Sequence, residues 1–220
     1  MQITNQSRLC IFDLDGTLVD SLRDIAEATN ECLELLGVTP FELASYRYLV
    51  GDGIVRLAER SIGATFPYLV PRLIDLVRAR YRLQPLLHTC PYGGVSDLVA
   101  ALKANGKLLS VLSNKPHDMT DRITRAFWPA EFDRIQGYVG DQLRKPNPHL
   151  LLDICAQLGV APANTCLVGD TPTDVETARR AGCQCIAITW GFRTRADLAE
   201  AGATCIVDTP QQVRQLLISN

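Results

Sequence analysis

"LCIFDLDGTLVDS", residues 9–21, begins with four apolar residues and runs straight into Asp13 and Asp15. Gly16, Thr17 and a third carboxylate at Asp20 follow. So short and unbroken an apolar run fits a strand covered on both faces. Two aspartates one residue apart at its end repel each other, so they need either water or a counter-charge. Taken alone, the stretch could be a strand with an acidic, solvated turn. The rest of the chain decides between the two.

Further short apolar runs recur downstream. "KLLSVL" (107–112), "TCLVG" (165–169), "CIAIT" (185–189) and "TCIV" (204–207) read as strands. Helical stretches lie between them: "VSDLVAALKANG", "DMTDRITRAF", "PHLLLDICAQLG", "TDVETARRAG" and "PQQVRQLLI". Several stop at Gly, a usual helix terminator. Strands alternating with single helices imply an α/β class with a parallel sheet and helices on both faces. The segment from about 21 to 88 has no clear strand. "SLRDIAEATNECLELLG" sets Leu22, Ile25, Ala26, Thr29, Leu33 and Leu36 at helical spacing, and three further stretches repeat the habit. We therefore expect an α/β core of residues 1–19 and 89–220, with an all-helical cap, residues 20–88, inserted after the first strand.

Composition narrows the function. The chain has 220 residues, 47% hydrophobic and 21% charged, with a formal net charge of -2. That is a globular chain with room for one core and a modest insertion. It has no Lys/Arg-rich block, which argues against nucleic acid and anionic membrane as partners. The N-terminal "MQITNQSRLCIF" has no basic start before a long apolar run, so no signal peptide is expected. No run approaches a membrane span. The eight cysteines include no Cys-x-x-Cys pair, and the three histidines (88, 117, 149) follow no metal-ligand spacing. Free thiols in a reducing cytoplasm are the expectation.

In an open parallel sheet, ligands bind beyond the carboxyl ends of the strands. Chemical residues collect at those ends here: Asp13 and Asp15, then Ser113 and Asn114, then Asp170 with Asp174 shortly after. Lys145 stands in "RKPNP", before another helix. Singly, each has a plain explanation. Ser113-Asn114 could cap a helix, Asp170 could make a turn, and Lys145 could be solvated. Together they put several carboxylates, a hydroxyl and an ammonium on one rim. Oxygen donors with few protein ligands suit Mg²⁺. With a lysine and nearby helix starts, such a site is built to hold a phosphate. Gly16 and Thr17 would let the main chain curl around it.

"DLDGTLVDS" (13–21), "SNK" (113–115), "KPNP" (145–148) and "GDTPTD" (169–174), in this order, resemble the haloacid dehalogenase superfamily. The helical insertion resembles its small cap. "WGFRTRADLAEAGA" (190–203) is similar to the matching stretch of its phosphoglycolate phosphatases. The resemblance implies a Rossmann-like core and a hydrolase of small phosphate monoesters. Asp13 would be the nucleophile that forms an aspartyl-phosphate, and Asp15 the general acid–base, oriented by Thr17. The Mg²⁺ ligands would be Asp13, the Asp15 carbonyl and Asp170, with Asp174 acting through water. Thr17, Ser113, Asn114 and Lys145 would face the phosphate. An acid at position 15 argues against dehalogenation, which has no leaving alcohol to protonate.

Substrate choice should rest with the cap. "VGDGIVRL" (50–57) puts Gly51, Asp52 and Gly53 before a helix start, and Arg56 could add charge. A small anionic substrate such as 2-phosphoglycolate is expected. The rivals are a sugar-phosphate mutase or an inorganic pyrophosphatase on the same scaffold, and a non-catalytic binding protein. The cap segment contains no lysine, which weakens the mutase and phosphonate-hydrolase readings. His117, next to "SNKP", could touch substrate. A monomer or a homodimer would serve equally.

Overall fold

The structure is a computed structural model that describes residues 7–218. The stretch 1–6, part of the segment read above for a targeting signal, lies outside the described residues. The chain runs β1 (Leu9–Phe12), β2 (Val19–Asp20), α1 (Leu22–Leu35), α2 (Tyr46–Leu49), α3 (Ile54–Ile62) and α4 (Val70–Leu83). It continues with β3 (Cys90–Pro91), α5 (Val95–Ala104), β4 (Leu108–Pro116), α6 (His117–Phe127), β5 (Arg134–Tyr138) and α7 (His149–Gln157). Then come β6 (Thr165–Gly169), α8 (Pro172–Ala181), β7 (Gln184–Ile188), α9 (Arg195–Glu200), β8 (Ile206–Val207) and α10 (Pro210–Leu217).

Six strands form one parallel sheet in the order β5-β4-β1-β6-β7-β8. β1 is central because it is apolar on both faces. Cys10 and Phe12 pack on one side with Val99 and Leu102 of α5, Ile123 of α6 and Val213 of α10. Leu9 and Ile11 pack on the other with Leu151 and Ile154 of α7 and Ala178 of α8. After β1 the sheet grows outward through β4 and β5, then returns to β6 on β1's other flank. The order reverses at β1, which opens a crevice beyond the carboxyl ends of β4, β1 and β6.

β5 was not expected from the sequence. "RIQGY" alternates polar Arg134 and Gln136 with Ile135 and Gly137, a pattern that hides an edge strand whose residues after Arg134 are all buried. A short antiparallel ribbon, β2 with β3, carries the chain out to four helices and back. Leu73 and Val77 of α4 close a small core against Cys32 and Leu33 of α1 and Ala58 and Ile62 of α3. Asp24 at the start of α1 fastens the return chain. It accepts hydrogen bonds from the N–H groups of His88 and Thr89, both at 2.8 Å, and from the Thr89 hydroxyl at 2.6 Å.

All eight cysteines are free thiols. Burial pushes Cys10 and Cys183 up to about 12, far from the nucleophilic thiolate at neutral pH. Among the described residues no helix is long and apolar enough to cross a membrane.

Candidate active site

The crevice brings together residues far apart in sequence. Asp13 follows β1, Asp170 follows β6, and Asp174 lies in the first turn of α8. Each offers a carboxylate oxygen to a cluster in which these atoms lie within 4.8 Å of one another, and all three are buried. Lys145, also buried, reaches in from the loop before α7. Its Nζ lies 2.9 Å from Asp13 Oδ1 and 2.7 Å from Asp174 Oδ1. Asp174 Oδ2 accepts from the Thr171 N–H, one half of the capping box that starts α8, and also from the Thr171 hydroxyl. One carboxylate therefore caps the helix and grips the lysine.

The remaining residues are held by their neighbours. The Asn114 side chain donates to the Lys145 carbonyl at 3.1 Å and accepts from the Lys145 N–H at 2.8 Å, so it positions the lysine. Ser113 Oγ accepts from the Lys115 N–H at 3.2 Å. Thr17 donates to Asp170 Oδ1 at 2.9 Å, and the Phe192 N–H donates to Asp170 Oδ2 at 2.7 Å. Gly16 has φ +88, and a Cβ there would lie 2.4 Å from Asp170 Oδ2. Gly191 is equally crowded, against the Gly16 carbonyl and Asp170. Only glycines let these two loops meet over the carboxylate.

The profile of the haloacid dehalogenase-like hydrolases matches residues 10–188. This chain belongs to that family. The hydrolase is 36% identical over 215 residues to the phosphoglycolate phosphatase of Chromobacterium violaceum, covering 94% of each chain. It is 33% identical over 188 residues to that of Aquifex aeolicus, covering 84% of this chain and 86% of the relative. A crystal structure of a predicted phosphoglycolate phosphatase from Haemophilus somnus superposes with a TM-score of 0.89 at 26% identity. That match spans 97% of this chain and 99% of the other.

The hydrolase concentrates charge on buried side chains. Three carboxylates face one buried ammonium, an excess of negative charge suited to a divalent cation. Every donor in the cluster is oxygen, the ligand type Mg²⁺ prefers. Burial pushes the Asp13 carboxyl up to about 8; Lys145 pulls it down, while Asp174 and Asp170 push it further up. Burial and Asp174 likewise raise Asp170 to about 7, against the hydrogen bonds from Phe192 and Thr17. Burial disfavours the Lys145 ammonium, but Asp13 and Asp174 outweigh it and hold its pKa above the usual lysine value. Burial and the neighbouring carboxylates thus favour the neutral forms of Asp13 and Asp170, while Lys145 is held charged.

Several expected contacts are arranged differently. Thr17 orients Asp170 and not Asp15, because its hydroxyl points across the loop to the β6 side. The Asp15 side chain lies outside the acid cluster. Its Oδ1 accepts from the Ser21 hydroxyl at 2.6 Å, and its two oxygens lie 2.8 and 2.7 Å from Lys115 Nζ. Ser21 therefore makes no side-chain cap for α1, and Asp20 instead accepts from the Leu22 N–H at 3.2 Å.

The cap candidates divide. Gly51 and Gly53 line a cavity of about 550 Å³ that also exposes Asp13, Asp15, Ser113 and Asn114. Arg56 does not line it; it sits on the outer face of α3, exposed and paired with Glu59 at 2.7 Å. Asp52 is also turned away. It pairs with Arg60 and accepts from Thr173 of α8 at 2.5 Å, fastening cap to core. Arg193 adds a second fastening, to the carbonyls of Val50, at 2.9 Å, and Arg47. His117 lines the cavity, with its Nδ1 accepting from the Gly137 N–H at 3.3 Å.

Sequence reasoning missed Lys115, Tyr81 and Arg78 as cavity residues. Lys115 stands inside the "SNK" motif, and the scarcity of lysine was a usable signal. Nothing local marks the other two. Tyr81 and Arg78 belong to α4, whose face toward the cavity depends on how the cap docks.

Proposed function

We propose that this hydrolase of phosphate monoesters acts on 2-phosphoglycolate or a similarly small anionic ester. The reaction would use Mg²⁺ and an aspartyl-phosphate on Asp13. Residues 20–88 would serve as the cap over a core of 1–19 and 89–220. The observation that carries the reading is the buried Asp13–Lys145–Asp174 contact beside Asp170, under a cap and with Asp15 two residues away. The relatives named phosphoglycolate phosphatase support the substrate.

Asp13, Asp170 and Asp174, with the Asp15 carbonyl, would hold the cation. When bound, it neutralises carboxylate charge and polarises the phosphoryl oxygens. Asp13 attacks phosphorus, and the P–O bond to the leaving alcohol breaks as the Asp13–phosphate bond forms. Lys145 and Ser113 hold the phosphoryl oxygens and offset repulsion between two anions. Asp15 protonates the leaving oxygen, then takes the proton of the water that hydrolyses the aspartyl-phosphate. Unaided monoester hydrolysis is so slow that these groups jointly lower the barrier by on the order of 20 kcal/mol.

Steady-state turnover of a panel tests the proposal: 2-phosphoglycolate, β-glucose 1-phosphate and pyrophosphate, each with Mg²⁺. The expected result is the highest kcat/KM for 2-phosphoglycolate, abolished by chelation and in Asp13→Asn. Phosphate release that persists in Asp13→Asn would refute the covalent route. Isomerisation of β-glucose 1-phosphate without phosphate release would identify a mutase, and preferred cleavage of pyrophosphate a pyrophosphatase.

A further inference from the structure

The contact left unused by the chemistry above is the one that occupies its acid–base residue. Asp15 cannot serve the ester oxygen while both its oxygens face Lys115 Nζ at 2.7 and 2.8 Å. We infer that Lys115 reads the second anionic group of the substrate and, by changing partner, frees Asp15 for proton transfer. The inference rests on the proposed small anionic ester and names the residue that selects it.

The first argument is charge balance. Lys115 is buried, and its ammonium has Asp15 as carboxylate partner and the Tyr81 ring at 4.6 Å. Burial works against that ammonium, and Asp15 and Tyr81 hold it charged. Turning Asp15 away leaves a buried cation without a counter-charge, which is strongly unfavourable. An anion entering with the substrate restores the balance. A neutral ester cannot, so Asp15 stays bound to the lysine.

The second argument is reach. Proton transfer needs Asp15 within about 3 Å of the ester oxygen. Lys115 Nζ rests 2.7 and 2.8 Å from the Asp15 oxygens, so its ammonium stands beside the place that the ester oxygen must take. In 2-phosphoglycolate the carboxylate carbon is about 2.5 Å from the ester oxygen. One ammonium can therefore pass from Asp15 to the substrate carboxylate without leaving its place. Of the other cations that line the cavity, Arg82 pairs with Asp118 at 2.8 Å and Arg78 donates to the Tyr138 hydroxyl at 3.1 Å; only Lys115 touches Asp15.

The test compares 2-phosphoglycolate with ethyl phosphate, which keeps the ester and lacks the carboxylate. Both are assayed with wild type, Lys115→Met and Lys115→Gln. Lys115→Gln keeps a hydrogen-bond donor for Asp15, and thermal melts establish that the variants are folded. We expect the wild type to prefer 2-phosphoglycolate, and both variants to lose at least tenfold of that preference in kcat/KM. Within that change, KM for 2-phosphoglycolate rises, and kcat/KM for ethyl phosphate rises in Lys115→Met, because no lysine is left to hold Asp15. A wild-type preference kept in the folded variants overturns this inference alone, as does an equal loss on both esters. A wild type that turns over both esters equally overturns the substrate reading and the inference with it.

Discussion

Gly16→Ala probes the junction between the two loops of the site. The new Cβ would lie 2.4 Å from Asp170 Oδ2 and 2.8 Å from the Phe192 ring, against an ordinary contact of 3.4 Å or more. Neither neighbour can give freely: Asp170 is held by Thr17 and the Phe192 N–H, and Phe192 is fully buried. Positive φ in a non-glycine residue costs about 1–2 kcal/mol. Losing one hydrogen bond to a charged group adds about 1.5–3 kcal/mol. The sum is about 3–5 kcal/mol, or a fall in Tm of about 6–20 °C for a chain of this size. Displacing Asp170 should also raise the Mg²⁺ concentration for half-maximal activity about tenfold to a hundredfold, the usual effect of disturbing a ligand's support. Gly37→Ala is the control, because Gly37 has φ +70 but nothing within 4 Å of an added Cβ. It should show the backbone strain and no change in Mg²⁺ demand. Thermal melts and Mg²⁺ titrations of phosphatase activity read both effects. A Gly16→Ala enzyme with Tm within about 2 °C of wild type and unchanged Mg²⁺ demand would refute the reasoning.

Asp24→Asn leaves only one acceptor oxygen for donors on His88 and Thr89, so its amide NH2 must face at least one of them. Urea unfolding should report a loss of about 1.5–3 kcal/mol; a change below about 0.5 kcal/mol would show that the fastening is not needed. The raised carboxyls of Asp13 and Asp170 set a pH dependence. Their folded pKa values exceed the unfolded ones, so their contribution to stability is full below about pH 4 and is lost as pH rises through about 7 to 8. Mg²⁺ needs the deprotonated cluster and should therefore raise Tm more at pH 8.5 than at pH 6; equal gains would contradict the assignment. Arg56→Ala should leave kcat/KM for 2-phosphoglycolate within about twofold, because an exposed pair with Glu59 contributes little. A larger loss would return Arg56 to the substrate site.

Much of this molecule is readable locally. β1 is apolar at every position, so hydrophobicity alone sends it to the middle of a sheet covered on both faces. Asp13, Asp170 and Lys145 stand out because charged residues directly after buried strands, or in the loops between elements, need a reason to be there. β5 escaped because a half-polar edge strand looks like a loop. Its pairing partner, β4, is what makes it a strand.

Partner choice was not readable at all. The family resemblance implied that Thr17 orients Asp15, yet its hydroxyl serves Asp170, which is 153 residues away. Sequence position placed Arg56 near the glycines of the cap, yet the turn of α3 carries it to solvent. Composition, alternation and motif spacing act through the short-range preferences of the backbone and the apolar side chains. These determined the fold class, the inserted helices and the residues that bear charge. Which carboxylate meets which ammonium depends on the docking of distant elements, where an ångström decides between a hydrogen bond and nothing. Only the tertiary structure could separate the two lysines, Lys145 on Asp13 and Lys115 on Asp15.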